Sequence, residues 1–323
     1  MSMVSVIIPA FNAEKTIGRC LDALTKQDYR GEYEIIVVDD GSTDSTPDIV
    51  SKFVKAQLIR QKNAGPAAAR NRGASISVGE IILFTDADCV PEPDWISEML
   101  RPFYENSEVA GVKGAYKTKQ KEITARFVQL EYEDKYNYML KDKFIDFIDT
   151  YSAGFRKDVF LEMKGYDTSF PVACAEDVEL SYRMSNKRHK MVFNPDAVVY
   201  HTHPDSLIGY LKKKYKFAYW RMLALKKNPD KALKDSHTPQ TMKIQLLFPP
   251  LIFASTLLAF LNSIFLFPVL LLITVFLSTT LSFALRALKK DVLIGLLAPG
   301  LLFFRASAQF LGVLSGAVFA GKK

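Results

Sequence analysis

Short apolar runs alternate with segments of helical apolar spacing along the N-terminal part of the chain. The runs are rich in β-branched residues and predict buried strands at 4–9, 34–38, 57–61 and 80–85. Between them, apolar positions three and four residues apart predict helices at 12–25, 46–55 and 65–77. Strands that alternate with helices are typical of βαβ units. We therefore expect an α/β fold with a mostly parallel sheet and helices on both faces.

The C-terminal part has a different pattern, because the 41 residues from 245 to 285 carry no charge. As one helix this run would be about 60 Å long, twice the thickness of a bilayer core. It therefore predicts two transmembrane helices, at 246–261 and 264–285. A third apolar element, at 292–319, contains Pro299 and Arg305. Two interpretations of it stay open, a single span and a broken or re-entrant element.

Net charge divides the chain in the same way. Residues 1–204 have a net charge of −5, residues 205–244 of +7 and residues 245–323 of +5. Basic residues beside an apolar run indicate anionic lipid and a cytoplasmic location, and not a nucleic acid partner. No signal-peptide pattern precedes the first predicted strand. We therefore expect an integral membrane protein with a soluble cytoplasmic domain at 1–204 and a membrane domain at 245–323.

The segment that joins these domains, 205–244, interleaves basic and aromatic side chains. Lys214, Tyr215, Lys216 and Phe217 illustrate the pattern. A helix of this composition suits the headgroup layer of a membrane, where aromatic rings and basic side chains both find partners. A solvated basic helix within the soluble domain is the alternative interpretation.

Two acidic clusters follow predicted strands, at the edge where the sheet of an α/β protein binds ligands. Asp86 and Asp88 come directly after the fourth predicted strand. Two carboxylates one residue apart suit Mg²⁺ or Mn²⁺, which also bind phosphate oxygens. Asp39 and Asp40 follow the second predicted strand, where a carboxylate is a candidate acceptor for an N–H of a nucleotide base.

Two further pairs contain groups that serve catalysis or metal binding. Glu176 and Asp177 precede a predicted helix. Asp177 is a candidate general base and Glu176 a partner that orients an acceptor, although both also favour the positive end of a helix. His201 and His203 follow a predicted strand, and their spacing places both imidazoles on one face of it. They are candidate metal ligands or hydrogen-bonding groups.

Taken in order, these motifs resemble those of the family 2 glycosyltransferases, which have the GT-A fold. The matching segments are SVIIPAFN at 5–12, VVDDGSTD at 37–44, NAGPAAARNRG at 63–73, FTDAD at 84–88, GFR at 154–156, GYD at 165–167 and AEDVEL at 175–180. The resemblance covers about residues 4–204. Each motif alone is weak evidence, whereas their ordered combination is highly specific.

The resemblance implies an inverting, metal-dependent transfer of one sugar from a nucleotide-diphosphate sugar. It implies donor-binding roles for Pro9, Phe11, Asn12, Asp39, Asp40, Arg70, Asp86, Gly154 and Arg156. It implies that Asp88 and His201 bind Mn²⁺ or Mg²⁺, with Asp86 and His203 as further candidates. It also implies that Asp177, beside Glu176, takes the proton of the acceptor hydroxyl.

The acceptor class depends on two further comparisons with the family. The processive cellulose- and hyaluronan-type synthases carry a Gln-x-x-Arg-Trp motif, which this sequence lacks, so we expect transfer of a single sugar. Polyprenyl-phosphate glycosyltransferases attack with an anionic phosphate that needs no base, whereas the Glu176–Asp177 pair implies a hydroxyl acceptor. We therefore favour a UDP- or GDP-sugar donor and a lipid-linked saccharide or glycolipid. A polyprenyl-phosphate glycosyltransferase and a non-catalytic nucleotide-binding membrane scaffold are the alternatives.

Overall fold

The computed structural model describes residues 3–170, 174–232, 236 and 238–319, which form two compact units. Among them, the first unit contains 3–119, 139–170, 174–202 and 236, and the second contains 120–138, 203–232 and 238–319. Lys322 and Lys323, which follow the third predicted apolar element, lie outside the described residues.

An eight-stranded sheet forms the centre of the first unit. Its strands are β1 (Val4–Ala10), β2 (Tyr33–Asp39), β3 (Ala56–Arg60), β4 (Ile81–Thr85), β5 (Val90–Pro91), β6 (Val109–Lys117), β7 (Ser152–Arg156) and β8 (Lys190–Tyr200). Their order across the sheet is β3-β2-β1-β4-β7-β6-β8-β5. The first four strands are parallel, as are β6 and β8, whereas β7 is antiparallel to both β4 and β6. The predicted α/β fold with a mostly parallel sheet is confirmed.

Among the described residues up to 186, the structure has seven α-helices. They are α1 (Ile17–Thr25), α2 (Thr46–Val50), α3 (Pro66–Ile76), α4 (Trp95–Glu105), α5 (Ile123–Met139), α6 (Lys157–Glu162) and α7 (Glu176–Asn186). Helix α1 begins five residues later than predicted, because the amides at 12–14 bond to side chains of another loop. Those of Asn12 and Ala13 donate to Ser42 Oγ at 2.9 Å and to Thr46 Oγ1 at 2.7 Å.

Strand β8 is continuous through Pro195. Its pairing with β6 shifts at this point, since Lys113 pairs with Phe193 and Ala115 already with Val198. A proline cannot donate a ladder hydrogen bond, and an irregular stretch in the pairing is where it is tolerated.

The centre of the sheet explains where the functional residues gather. Strands β1, β2 and β4 are almost completely buried along their length, which explains why their sequences are nearly continuous apolar runs. In register, Ala10 pairs with Asp39, and Ile7 pairs with Phe84. The carboxyl ends of all three strands therefore meet at one edge of the sheet, and the predicted acidic clusters directly follow two of them.

The second unit consists of helices. Besides α5 it contains α8 (Leu207–Lys227), α9 (Gln240–Gln245), α10 (Phe248–Leu261), α11 (Leu266–Leu288) and α12 (Val292–Phe319). Three segments are long and apolar enough to cross a membrane: Gln240–Leu261, Ser263–Leu288 and Val292–Phe319. Helix α12 is continuous through Pro299, which fits the interpretation of the third apolar element as a single span.

Close packing within the second unit joins the basic aromatic helix to the apolar ones. Gly312 and Gly316 of α12 lie against the backbone of α8 at Tyr215 and Tyr219, where a Cβ would collide with carbonyl oxygens. Small residues allow such an approach between helices in membranes. Helix α8 therefore packs with the apolar helices of the second unit, while its contact with lipid headgroups stays a prediction.

One segment before residue 204 packs with the helices of the second unit. Residues 120–138, which contain most of helix α5, group with that unit. Phe127 and Val128 of this helix pack in one apolar cluster with Phe276 and Leu302. The predicted domain boundary near 204 stays a prediction.

Candidate active site

A cleft of about 1050 Å³ opens at the carboxyl ends of β1, β2 and β4. Its volume is at the upper end of the range for small-molecule sites. The predicted site residues that line it are Pro9, Phe11, Asn12, Asp40, Arg70, Asp86 and Asp88. The structure therefore brings together seven residues from four sequence motifs. Phe11 exposes half of its side chain here, which leaves an aromatic face available to a ligand.

The two adjacent aspartates after β2 have different surroundings. Asp39 is completely buried and accepts hydrogen bonds from the Ser42 amide at 3.1 Å and from Arg60 Nε at 3.0 Å. Asp40 lines the cleft and accepts from the amides of Ala64 at 2.9 Å and Gly65 at 2.8 Å. Asp40 thus fixes the loop that precedes α3. Asp39 instead stabilises the turn at 39–42 and does not line the cleft.

Arg70 forms the centre of a buried ion network. Its guanidinium bonds to Asp86 Oδ1 at 2.6 Å and to Glu176 Oε1 at 3.0 Å, and only 2% of the side chain is exposed. The ring of Tyr166 lies 5.7 Å from the guanidinium carbon. One cation therefore connects the end of β4 to the start of α7. We predicted a contact of Arg70 with the donor, but two carboxylates already occupy its Nη atoms.

The carboxyl groups at the start of α7 are perturbed by their surroundings. Burial raises the pKa of Glu176, and the neighbouring Asp177 raises it further. Burial also raises the pKa of Asp177, against the opposing charges of Arg70 and Lys113. Glu176 Oε2 is buried without a hydrogen-bond partner among the described residues. Carboxyl groups with raised pKa values in a polar cluster are typical of acid–base chemistry.

Asp88, Cys89 and His201 form a group whose candidate ligand atoms all lie within 4.8 Å of one another. His201 Nδ1 is 3.5 Å from Asp88 Oδ2 and 3.9 Å from Cys89 Sγ. Burial raises the pKa of the Cys89 thiol well above its ordinary value, so the thiolate is disfavoured. The carboxylate and the imidazole are then the better donors, and both suit Mn²⁺. A metal would therefore fit between Asp88 and His201.

The orientation of the His201 imidazole is set by aromatic stacking. The ring lies 4.8 Å from that of Tyr116 at an interplanar angle of 16°. Tyr116 in turn stacks on Tyr151. A ring held in place by stacking keeps its nitrogen near Asp88 without further reorganisation.

His203 and Asp86 have other partners than a metal. Strand β8 ends at Tyr200, so the predicted common strand face of His201 and His203 is wrong. His203 is buried in the second unit, where Nε2 lies 3.1 Å from Gln129 Oε1 and the ring stacks on Tyr132. Asp86 uses Oδ1 for Arg70, as described above. His203 is therefore corrected from a candidate metal ligand to a hydrogen-bonding residue.

Arg156 is a second correction. Strand β7 is antiparallel to β4, so Ser152 pairs with Thr85 at the cleft edge and Arg156 pairs with Ile81 at the opposite edge. Arg156 Nε donates to the Val109 carbonyl at 2.9 Å. The predicted donor contact of Arg156 is therefore contradicted by the direction of the strand.

Gly154 lies in the middle of β7, opposite Leu83, and does not line the cleft. A Cβ at this position would stand 2.9 Å from Leu83 Cδ2 and 3.0 Å from Met99 Cε. The residue therefore permits the packing of α4 against the sheet, and its predicted donor-binding role is not supported.

A buried lysine on β6 was not predicted from the sequence. Lys113 is fully buried, donates to Tyr151 Oη at 2.8 Å and forms an ion pair with Asp149. Its charge also lowers the pKa of Asp177, against the effect of burial. A lysine within the otherwise uncharged run of 109–116 was the available signal, because a buried ammonium requires a carboxylate partner.

Residues 5–163 match the model of the family described as glycosyl transferase family 2. The glycosyltransferase AglE of Haloferax volcanii is 42% identical over 102 residues, which are 30% of this chain and 34% of that protein. The probable glycosyltransferase YdaM of Bacillus subtilis is 28% identical over 67% of this chain and 54% of its own length. The chain thus aligns with a third to about half of the length of these relatives.

Solved structures agree with the fold. The mannosyltransferase PcManGT from Pyrobaculum calidifontis, in complex with GDP-Man and Mn²⁺, superposes with a TM-score of 0.64 and 20% identity. The superposition covers 98% of this chain and 87% of that one. GalNAc-T7 with UDP, GalNAc and Mn²⁺ has a TM-score of 0.51 and 16% identity over 69% of this chain. Residues 5–163 therefore form a family 2 glycosyltransferase domain, and the chain has a GT-A fold together with three apolar helices that fit a membrane anchor.

Proposed function

We propose that the protein transfers one sugar from a nucleotide-diphosphate sugar to a hydroxyl group of a lipid-linked acceptor, with inversion at the anomeric carbon. The observation that carries this proposal is the Arg70 network. Its two ion pairs hold the Asp86–Asp88 strand end and the Glu176–Asp177 helix start in one arrangement. A site for the donor diphosphate and a base for the acceptor are thereby joined.

The donor occupies the cleft. Phe11 offers an aromatic face, and Asn12, Asp40 and the loop at 61–65 form the polar side of the cleft that suits a nucleoside. Asp88 and His201 would hold a divalent cation, which supplies positive charge to the diphosphate leaving group. PcManGT and GalNAc-T7 were both solved with Mn²⁺ and a nucleotide or nucleotide sugar, which supports this choice of metal.

The acceptor reacts at Asp177. The hydroxyl oxygen forms a bond to the anomeric carbon while the bond from that carbon to the diphosphate oxygen breaks, and the electron pair leaves with the nucleoside diphosphate. The Asp177 carboxylate accepts the hydroxyl proton. Glu176 and Arg70 do not touch the reacting atoms in this scheme. They position the start of α7, because both are buried and bonded to each other.

A lipid-linked acceptor is supported by the three helices that are long and apolar enough to cross a membrane. An enzyme anchored in this way meets lipid-linked substrates at high local concentration. Arg286, Lys289 and Lys290 at the end of α11 are expected on the cytoplasmic side, where nucleotide sugars are available.

The test uses the full chain in lipid nanodiscs with Mn²⁺, a panel of UDP- and GDP-sugars and a membrane lipid extract, read by release of nucleoside diphosphate. We expect release with one donor to depend on the extract, and the product anomer to be opposite to that of the donor. Asp177→Asn should abolish transfer. The matched control is Glu162→Gln, since Glu162 is an exposed carboxylate paired with Lys187 on the surface.

Two results would contradict the proposal. Transfer to a bare polyprenyl phosphate that survives Asp177→Asn would show that the acceptor is a phosphate that needs no base. The absence of both transfer and slow donor hydrolysis with every donor would favour a nucleotide-binding scaffold.

A further inference from the structure

The second unit contains a small charged pocket of about 90 Å³ among α5, α9, α11 and α12. Five charged side chains line it: Glu131, Asp134, Lys135, Arg286 and Arg305. The proposed transfer reaction uses none of them. Charged residues among helices that fit a membrane are costly to bury, so they usually serve a function.

Glu131 is the centre of this pocket. Only 4% of the residue is exposed. Its carboxylate forms ion pairs with Arg305 at 2.7 Å and Lys214 at 3.0 Å, and it accepts a hydrogen bond from the Tyr210 hydroxyl at 2.8 Å. Burial alone would raise the pKa of Glu131, but Lys214 and Arg305 lower it to about 2. One carboxylate therefore compensates two cations, with a hydroxyl as third donor.

The pocket has more positive than negative groups. Asp134 forms an ion pair with Arg286 at 2.5 Å, and Glu131 forms ion pairs with both Arg305 and Lys214. With Lys135 protonated, and with Lys214 counted because it contacts Glu131 although it does not line the pocket, four cationic side chains accompany two carboxylates, an excess of two positive charges among these residues. Burial lowers the pKa of Lys135 to about 7, and the nearby positive charge of Lys214 contributes to this lowering.

Arg305 retains further bonding capacity. Only 6% of the residue is exposed, and its Nε has no hydrogen-bond partner among the described residues. Its Nη2 bonds to Gln245 Oε1. Leaving a buried guanidinium N–H without an acceptor costs free energy, and an oxygen-rich anion would supply such an acceptor.

We propose that this pocket binds a phosphate group carried by a membrane lipid. Guanidinium groups bind phosphate oxygens through paired hydrogen bonds, and the volume fits one phosphate but no nucleotide. A phosphate dianion neutralises the excess of two positive charges. Arg286 lies near the end of α11 and Gln245 near the start of the first candidate span, and such ends of apolar segments are where lipid headgroups are expected.

The phosphate has two candidate sources, an ordinary anionic phospholipid and the lipid-linked acceptor. The second identification rests on the proposed function, whereas phosphate binding itself does not.

The experiment measures binding of a long-chain polyprenyl monophosphate to the full chain in phosphatidylcholine nanodiscs, without any donor. Arg286→Gln and Lys135→Gln should each weaken binding about tenfold, the loss expected for one charge-assisted hydrogen bond. The matched control is Lys289→Gln, since Lys289 is an exposed lysine three residues further along and outside the pocket. Melting temperatures establish that each variant is folded. The affinity of each pocket variant is compared with that of wild type separately.

Competition by phosphatidylglycerol or inorganic phosphate would support the site and assign it to phosphate groups in general, whereas resistance to both would assign it to the polyprenyl lipid. Equal affinities of wild type and both pocket variants, or equal binding of the phosphate-free polyprenol, would overturn the proposal. Asp177→Asn should bind the lipid as wild type does, so a failure of transfer and a failure of this site are distinguishable.

Discussion

Replacing Arg70 by methionine tests the organisation of the candidate active site. The substitution keeps most of the side-chain volume but removes the guanidinium that lies between Asp86 and Glu176 at 2.6 and 3.0 Å. Arg70 and Glu176 are each 2% exposed, so solvent cannot replace the lost partner at Glu176. An uncompensated carboxylate then remains in the interior.

The magnitude follows from this burial. Removing one partner of a buried ion pair costs about 3–5 kcal/mol, because the other charge stays desolvated. For a domain of this size that corresponds to a decrease in melting temperature of roughly 6–20 °C. Asp86 is 27% exposed, so its share of the loss is smaller than that of Glu176.

The loss should depend on pH with a definite sign. Without Arg70, the pKa of Glu176 rises further above its unfolded value, so the folded state binds a proton that the unfolded state releases. Stability then falls as pH rises through the folded-state pKa, and is regained at lower pH. The deficit of Arg70→Met relative to wild type should therefore be larger at pH 8 than at pH 5.

The assay is thermal unfolding of the full chain in detergent, at both pH values. A double variant with Glu176→Gln supplies the control, because the amide leaves no buried charge and should recover part of the loss. An unchanged melting temperature for Arg70→Met, or a deficit independent of pH and of Glu176→Gln, would refute the buried ion network.

Three other predictions concern the metal, the base and the packing. Asp88→Asn and His201→Ala should each raise the Mn²⁺ concentration needed for half-maximal transfer at least tenfold, whereas His203→Ala should not, as a metal titration of activity would show. Because burial raises the pKa of Asp177, kcat/KM should fall with decreasing pH at a higher pH than an ordinary aspartate gives, as a pH–rate profile measures. Gly154→Ala should lower stability by about 1–3 kcal/mol with the donor KM unchanged, measured by unfolding and steady-state kinetics.

Much of the candidate site was predictable because parallel strands impose a simple rule. Acidic residues that directly follow buried strands must gather at one edge, and Asp40, Asp86 and Asp88 do so in the cleft. The rule fails for Arg156, because nothing in a five-residue strand reveals its direction in the sheet. Once β7 is antiparallel to β4, its last residue lies at the opposite edge.

Partners that are distant in sequence were not predictable from pattern. Arg70 and Glu176 are 106 residues apart, and Glu131 and Arg305 are 174 apart. Hydrophobic periodicity specifies which face of an element is buried, but not which charges meet there. Such charges are recognisable only as polar residues within apolar runs, as Lys113 and Arg305 are.

The Arg70 network explains how one domain can couple its two substrates under the proposed roles. Asp86 is two residues from the proposed metal ligand Asp88, and Glu176 precedes the proposed base Asp177. A single guanidinium therefore sets the distance between the donor diphosphate and the group that takes the acceptor proton. Because in-line transfer depends on that distance, loss of Arg70 should reduce kcat much more than donor affinity.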